Sequence, residues 1–219
     1  MTTNRTVVLW SGGADSTLLL HQYAGVSSED YPVVALSVIG HPNLNKHQIS
    51  AQNAAQQRYL KFAKKKGYHI DHQTVITSGK FVWGGDHDGN AQPVVWLGAL
   101  AQIVGKNDIV LMGYIRDASF WHFNHEFKEA FRTMCGLKGL EAKLSFPLEY
   151  HHKWEVMQDL KSEKIPDNCW FSCDGTANKK PCGSCSKCKE IEDAKKELLA
   201  RKQALKQLAP VVTKKRRRK

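Results

Sequence analysis

The chain has 219 residues, 42% of them hydrophobic, and a formal net charge of +11. That length can bury one sizeable core but not a second large domain, and no stretch approaches the roughly 18 uninterrupted apolar residues of a membrane span. The opening MTTNRT lacks the charged-then-apolar order of a secretion signal, so a soluble cytoplasmic protein is the expectation.

The elements expected in chain order alternate between strand and helix. Thr6–Trp10, Val33–Ile39, Ile70–Ile76 and Ile109–Ile115 are short runs rich in β-branched and aliphatic residues and read as strands. Between them, Asp15–Tyr23, His47–Lys66 and Val94–Val104 read as helices, the second closing on Lys64, Lys65 and Lys66 and then Gly67, a C-terminal signature. Phe123–Met134 is a further helix, Leu144–Glu149 a fifth strand, and Lys153–Leu160 the helix after it. This alternation predicts an α/β fold with a parallel sheet and right-handed crossovers. After Pro166 the texture changes. Residues 167–190 are rich in Cys, Gly, Lys, Asn and Ser without periodicity, so no packed apolar core is expected there. A charged helix over Glu190–Leu208 follows, which Pro210 should end. The expected division is an α/β domain over 1–165, a cysteine subdomain with its helix over 166–208, and a basic tail over 209–219.

The first strand runs into Ser11-Gly12-Gly13-Ala14-Asp15-Ser16 and straight into a helix. A strand-to-helix turn of this kind offers unpaired backbone N–H groups at the positive end of a helix dipole. Two glycines let an anion approach without a Cβ in the way. Ser11, Ser16 and Thr17 can add hydroxyl donors, and Asp15 can cap the helix or help hold Mg2+. No lysine follows, so this is not the Walker A loop. The anion that best suits it is the pyrophosphate end of ATP. The six-residue pattern resembles the pyrophosphate loop of the N-type ATP pyrophosphatases, which implies a Rossmann-like adenine nucleotide α-hydrolase fold and cleavage of ATP between its α and β phosphates. Trp10, Ser11, Gly12, Gly13, Ala14, Asp15, Ser16 and Thr17 are therefore the candidates for ATP binding.

Of six cysteines, Cys173, Cys182, Cys185 and Cys188 fall within 16 residues. Four thiolates on a short flexible segment suit tetrahedral Zn2+, and binding would supply the folding free energy that the segment's composition lacks. A four-cysteine set also serves iron–sulfur clusters, and disulfides fit an intracellular chain least. Cys169 is a spare ligand, and Cys135 reads as a small buried residue.

Together, these two signals resemble the 7-cyano-7-deazaguanine synthase (QueC) family. The loop LWSGGADSTLLL fits it, as do Pro147, Lys153 and Glu155 in PLEYHHKWEVMQDL, the aromatic-Ser-Cys of Phe171, Ser172 and Cys173, and the P-C-G-x-C-x-x-C of Pro181 to Cys188. The resemblance runs in order over roughly residues 5–195. It implies ATP-dependent adenylation of 7-carboxy-7-deazaguanine and attack by an amine donor. With ammonia the product is the amide, which a second ATP dehydrates to the nitrile. It further implies a homodimer, and Asp15, Lys153 and Asp117 as candidate catalytic residues, Lys153 contacting phosphates unless it is an exposed helix lysine.

The chain also departs from the family. IGHPNLNKHQ follows the second strand where the family has Tyr-Gly-Gln with His and Glu. Gly89-Asn90-Ala91-Gln92 lacks the family's arginine, and after the fourth strand Gly113 and Asp117 are kept, but the stretch Asp117 to Asn124 lacks the family's acidic and arginine partners. Two substrate readings stand beside each other: a divergent synthase acting on the deazaguanine acid, and a relative of defence-island enzymes that passes the activated acid to another amine such as a protein N-terminus. Phe120, Trp121 and Phe123 either stack on a heterocycle, with Asp117 on its polar edge, or pack a helix start. Asp86, His87 and Asp88 read as a solvated loop more readily than a metal cluster, and His122 and His125 stay unassigned. Two further classes are a tRNA-modifying pyrophosphate-loop enzyme and a zinc-stapled ATP sensor. Residues 201–219 hold nine cations and no acid, which leaves about +2 for the rest of the chain. The tail either contacts nucleic acid weakly or serves solubility.

Overall fold

A computed structural model describes residues 4–39, 46–76, 91–118 and 122–216, with backbone alone at 91, 92 and 208–216. Asp86, His87, Asp88, Gly89, Asn90, Phe120 and Trp121 lie outside the described residues, as do the last three residues of the tail. Five strands, β1 (Thr6–Leu9), β2 (Val33–Ile39), β3 (Ile70–Ile76), β4 (Ile109–Met112) and β5 (Lys143–Ser145), form one sheet in the order β3-β2-β1-β4-β5, every pair parallel. Parallel strands need crossovers, and the helices α1 (Ala14–Ala24), α2 (Lys46–Lys65), α3 (Ala91–Ile103) and α4 (Asn124–Leu137) supply them. Two more, α5 (Lys153–Ser162) and α6 (Ser186–Arg216), follow β5.

Alternation along β1 shows how the sheet is sandwiched. Val8 and Trp10 face a core built with Leu18 and Leu19 of α1, Tyr59 of α2 and Val156 and Met157 of α5, whereas Val7 and Leu9 face Leu100 of α3 and Phe127 and Phe131 of α4. Strands covered on both faces read as near-continuous apolar runs, which is why VVALSVI forms β2 over the expected residues. Gly67 adopts a positive φ of 78° two residues beyond the end of α2, the conformation a helix-ending glycine is there to provide.

Three expectations need correction. The fifth strand covers Lys143–Ser145 and not Leu144–Glu149, because Pro147 has no N–H to pair and residues 147–150 turn instead. The last helix starts at Ser186 and continues through Pro210 to Arg216. Proline removes only the bond its own amide would give to the carbonyl of Lys206, and strong helix formers such as Ala204, Leu205 and Lys206 precede it. Residues 167–190 are not without an apolar core either. Cys169 packs beneath the α1–α2–α5 side with Ile165, and Phe171, Cys173 and Cys188 bury themselves against Ala51 and Ala55 of α2.

The topology fixes where a ligand can sit. From β1 the chain moves outward through β2 and β3, then returns to β4 on the other side of β1 and moves outward again. The crevice beyond the carboxyl ends of β1 and β4 is thus a topological switch point, the usual ligand position of an open parallel sheet.

Candidate functional site

A cleft of about 550 Å³ opens at that switch point. Its floor is the turn between β1 and α1, its walls the ends of β2 and β4, and its rim α2, Lys153 of α5, the segment Phe171–Asp174 and Lys187 of α6. The turn is held in a narrow geometry. Gly12 has φ of +81°, and a Cβ on it would meet Gln56 Cγ at 2.9 Å. Gln56 Nε2 in turn donates to the Trp10 carbonyl at 3.2 Å and to Ser37 Oγ at 2.9 Å. From the other side Gly113, directly after β4, lies so close that an added Cβ would sit 2.9 Å from Ser16 N and 3.0 Å from the Asp15 carbonyl carbon.

The loop's donors are distributed differently from the expectation of bare amides. Gly13 N–H donates to Ser11 Oγ at 3.2 Å, and Ala14 N–H to Ser172 Oγ at 3.1 Å. The first intrahelical bond is that of Thr17 N–H to the Gly13 carbonyl at 3.0 Å, so Asp15 and Ser16 supply the first-turn amides without a helical partner. Ser11, Gly13, Asp15 and Ser16 line the cleft, and the Ser11 and Ser16 hydroxyls lie 3.1 Å apart. Gly12, Ala14 and Thr17 are not among the lining residues. Thr17 is fully buried, its hydroxyl accepting the Trp10 indole N–H at 3.0 Å. Trp10, also fully buried, lines the cleft, and its bond to Thr17 makes the floor rigid.

Asp15 does not cap α1. Its carboxylate oxygens accept from Lys153 Nζ at 2.8 and 2.7 Å, and Lys153, only 7% exposed, is no surface lysine. This ion pair spans 138 residues and brings two of the three catalytic candidates together at the mouth of the loop. The third, Asp117, takes a different place. It accepts from the Lys153 backbone N–H at 3.4 Å and lies 3.1 Å from His152 Nδ1, at the N-terminus of α5. There it stabilises the helix that presents Lys153. Phe123, half exposed at the start of α4, does not line the cleft. Tyr114 does, and burial, with the charge of Asp15 adding, holds its phenol well above the usual value, so it remains a protonated donor.

The four cysteines come together beside the same cleft. The Sγ atoms of Cys173, Cys182, Cys185 and Cys188 all lie within 4.8 Å of one another, with Cys173–Cys185 at 3.9 Å and Cys182–Cys188 at 4.0 Å. Thiolates around one tetrahedral ion with Zn–S near 2.3 Å sit about 3.8 Å apart, so the set fits a single metal ion. An iron–sulfur cube, whose cysteines each bind a different iron, spreads its sulfurs wider. Cys182 N–H points to Cys173 Sγ at 3.3 Å and Cys185 N–H to Cys182 Sγ at 3.3 Å, outer contacts that support thiolate ligands. The Ser184 hydroxyl and the amides of Ser184 and Cys185 pull the Cys182 thiol down to about 5, while burial pushes Cys188 up to about 12. A bound dication would allow all four to ionise together. Cys169 stays apart in the core, and Cys135 is buried on the inner face of α4.

Sequence reasoning assigned no role to Ser172, Gln56, Ser37 or Lys187. A glutamine within the small-residue face of α2 and a lysine between two metal ligands were the available signals. The reach of Ser172 to Ala14 had none.

No family model matches the chain, and no curated protein matches it. Among solved structures, it is similar to the U34-tRNA thiolase NcsA from Methanococcus maripaludis with its [4Fe-4S] cluster, at 17% identity and a TM-score of 0.49, covering 90% of this chain and 67% of that one. An identity this low leaves the substrate and the metal of the present chain to its own residues.

Proposed function

We propose that the chain is an ATP-dependent enzyme of the pyrophosphatase type that activates a carboxylic acid and joins it to an amine, with 7-carboxy-7-deazaguanine as the acid. What carries the reading is the Asp15–Lys153 pair over the Ser11–Ser16 turn, at the switch point of a parallel sheet and beneath a cleft of about 550 Å³. The order of motifs supports the choice of acid, for Lys153, Ser172 and Cys173 line this cleft, and Cys182, Cys185 and Cys188 gather around Cys173 beside it, all at positions that the resemblance to the deazaguanine synthase family picks out.

In the reaction the acid's carboxylate oxygen attacks the α-phosphorus of ATP, forming an acyl adenylate and releasing pyrophosphate. The amine nitrogen then attacks the acyl carbon, loses a proton, and AMP leaves with the bonding pair. The first-turn amides of Asp15 and Ser16 and the hydroxyls of Ser11 and Ser16 point donors at the departing pyrophosphate, where charge builds up. Asp15 is the residue to hold Mg2+, which neutralises pyrophosphate when bound. Lys153 balances that carboxylate and supplies a cation to the same region. Tyr114, kept protonated, donates without titrating near neutral pH. Cys173, Cys182, Cys185 and Cys188 hold zinc as a structural ion, the spacing of their sulfurs favouring one ion over a cluster.

The test is pyrophosphate release from ATP with 7-carboxy-7-deazaguanine, with and without ammonium, products read by mass spectrometry. Release dependent on the acid is expected. A free nitrile makes the chain a nitrile-forming synthase. Mass added to a protein instead shows transfer to a macromolecular amine, as the altered residues around Asp117 would allow. No acid-dependent release overturns the reading.

A further inference from the structure

The segment between the apolar core and the metal centre is also the segment that holds the anion loop. Three consecutive residues divide the work. Phe171 N–H donates to the Gly12 carbonyl at 2.8 Å, Ser172 Oγ accepts the Ala14 N–H at 3.1 Å, and Cys173 is the first metal ligand. The contact is close on the loop's side too, for a Cβ on Gly13 would lie 3.2 Å from Ser172 Oγ. Beyond Cys173, Asp174 accepts from Gln48 Nε2 of α2 at 3.2 Å, and Lys187, placed between the ligands Cys185 and Cys188, lines the cleft.

We propose that Ser172 couples the metal centre to the nucleotide site, so that metal loading sets the affinity of the loop for its nucleotide and the nucleotide tightens the metal. The proposal rests on reading the loop as a nucleotide site. Between Cys173 and the start of α6 the chain has no helix or strand, so its ordering depends on the bond network that a metal closes. Cys173 is fixed by that network at one end, and this restricts where its neighbour Ser172 can place Oγ. A serine hydroxyl that accepts from Ala14 keeps its own O–H to donate, and the bound phosphate is the acceptor within the cleft. Ser172 thus works through the loop as a positioning residue. Releasing the metal loosens residues 172–174, Ala14 loses a fixed acceptor, and the phosphate loses a fixed donor. Linkage requires the effect to be equal in both directions.

The experiment uses the full chain and the α,β-methylene analogue of ATP with Mg2+, which binds without being cleaved. Analogue affinity is measured by calorimetry on zinc-loaded and chelator-stripped protein, and zinc affinity by competition against a chromogenic chelator with and without analogue. Stripping should weaken the analogue about tenfold, within the ordinary range of coupling between two sites, and the analogue should tighten zinc by the same factor. Ser172→Ala, which retains all four thiols, should bind one zinc per chain but bring both ratios to about 1, and Ser172→Thr should restore them. The zinc competition begins from loaded protein, so it reports even if the stripped chain does not refold. Equal analogue affinity with and without zinc, or coupling that survives Ser172→Ala, overturns the proposal while leaving the nucleotide site intact. Failure of loaded wild type to bind the analogue overturns the nucleotide reading, and the proposal with it.

Discussion

Asp15 sits in the first turn of α1, where a carboxylate is favoured by the helix dipole but opposes an incoming phosphate. Lys153 resolves this conflict. It neutralises Asp15 at 2.7 Å and brings a buried cation to a site that, on the proposed reading, accepts the phosphates of ATP. Replacing Asp15 by asparagine keeps the shape and removes the charge. Pyrophosphate release should fall by about 10²–10³-fold, the usual scale for removing one group that stabilises developing charge. Lys153, left in its buried position without a counter-ion, should cost about 1–3 kcal/mol of stability, read as a melting point lowered by several degrees in a protein that still folds. Unchanged pyrophosphate release in Asp15→Asn would remove Asp15 from the reaction.

At the scale of elements, the site depends on how closely the end of β4 approaches the start of α1. Gly113 makes that approach possible, since any side chain there would collide with the backbone of Asp15 and Ser16. Gly113→Ala should therefore destabilise the protein by about 1–3 kcal/mol and weaken binding of the ATP analogue at least fivefold. Gly136→Ala is the control, because among the described residues no group from outside its own helix turn lies within 4 Å of its Cβ position, and it sits in the last turn of α4. Alanine there should stabilise the helix by about 0.5–1 kcal/mol with no effect on the analogue. Equal analogue affinity in Gly113→Ala would show that the loop tolerates displacement. The legibility of these elements followed their physics. β2 was readable to the residue because a buried parallel strand is a continuous apolar run, and β3, a largely unburied edge strand, because the helix stop at Gly67 precedes it. The glycine turn and the four cysteines were readable because their chemistry is local. Lys153 with Asp15, and Ser172 with Ala14, were not, because contacts 138 and 158 residues apart are made by the fold and leave no periodic trace. The extent of α6 was missed because a single proline was weighed above the helix formers around it.

Over the whole molecule, the cysteine centre is attached to the α/β body by two different means. The Phe171–Asp174 strap ties it to the anion loop and to α2, and α6 packs along α5 through Ala194 and Leu198, with Arg201 over the Trp154 ring at 4.0 Å. The sheet has its own cores on both faces, and neither includes any of the four clustered cysteines. Losing the metal should therefore open one part of the protein and not the rest. Chelation, or Cys185→Ser, should remove one zinc per chain and abolish hydrogen-exchange protection at residues 172–188. Amides of β1, β2 and β4 should keep theirs, because their bonds lie in a sheet covered by helices. α6 should stay docked as far as Leu198, since apolar contacts with α5 hold it there. If the sheet amides lost protection together with residues 172–188, the metal would be integral to a single cooperative unit. If neither region changed and no zinc were released, the four sulfurs would not be a metal site, and their approach to within 4.8 Å would need another cause.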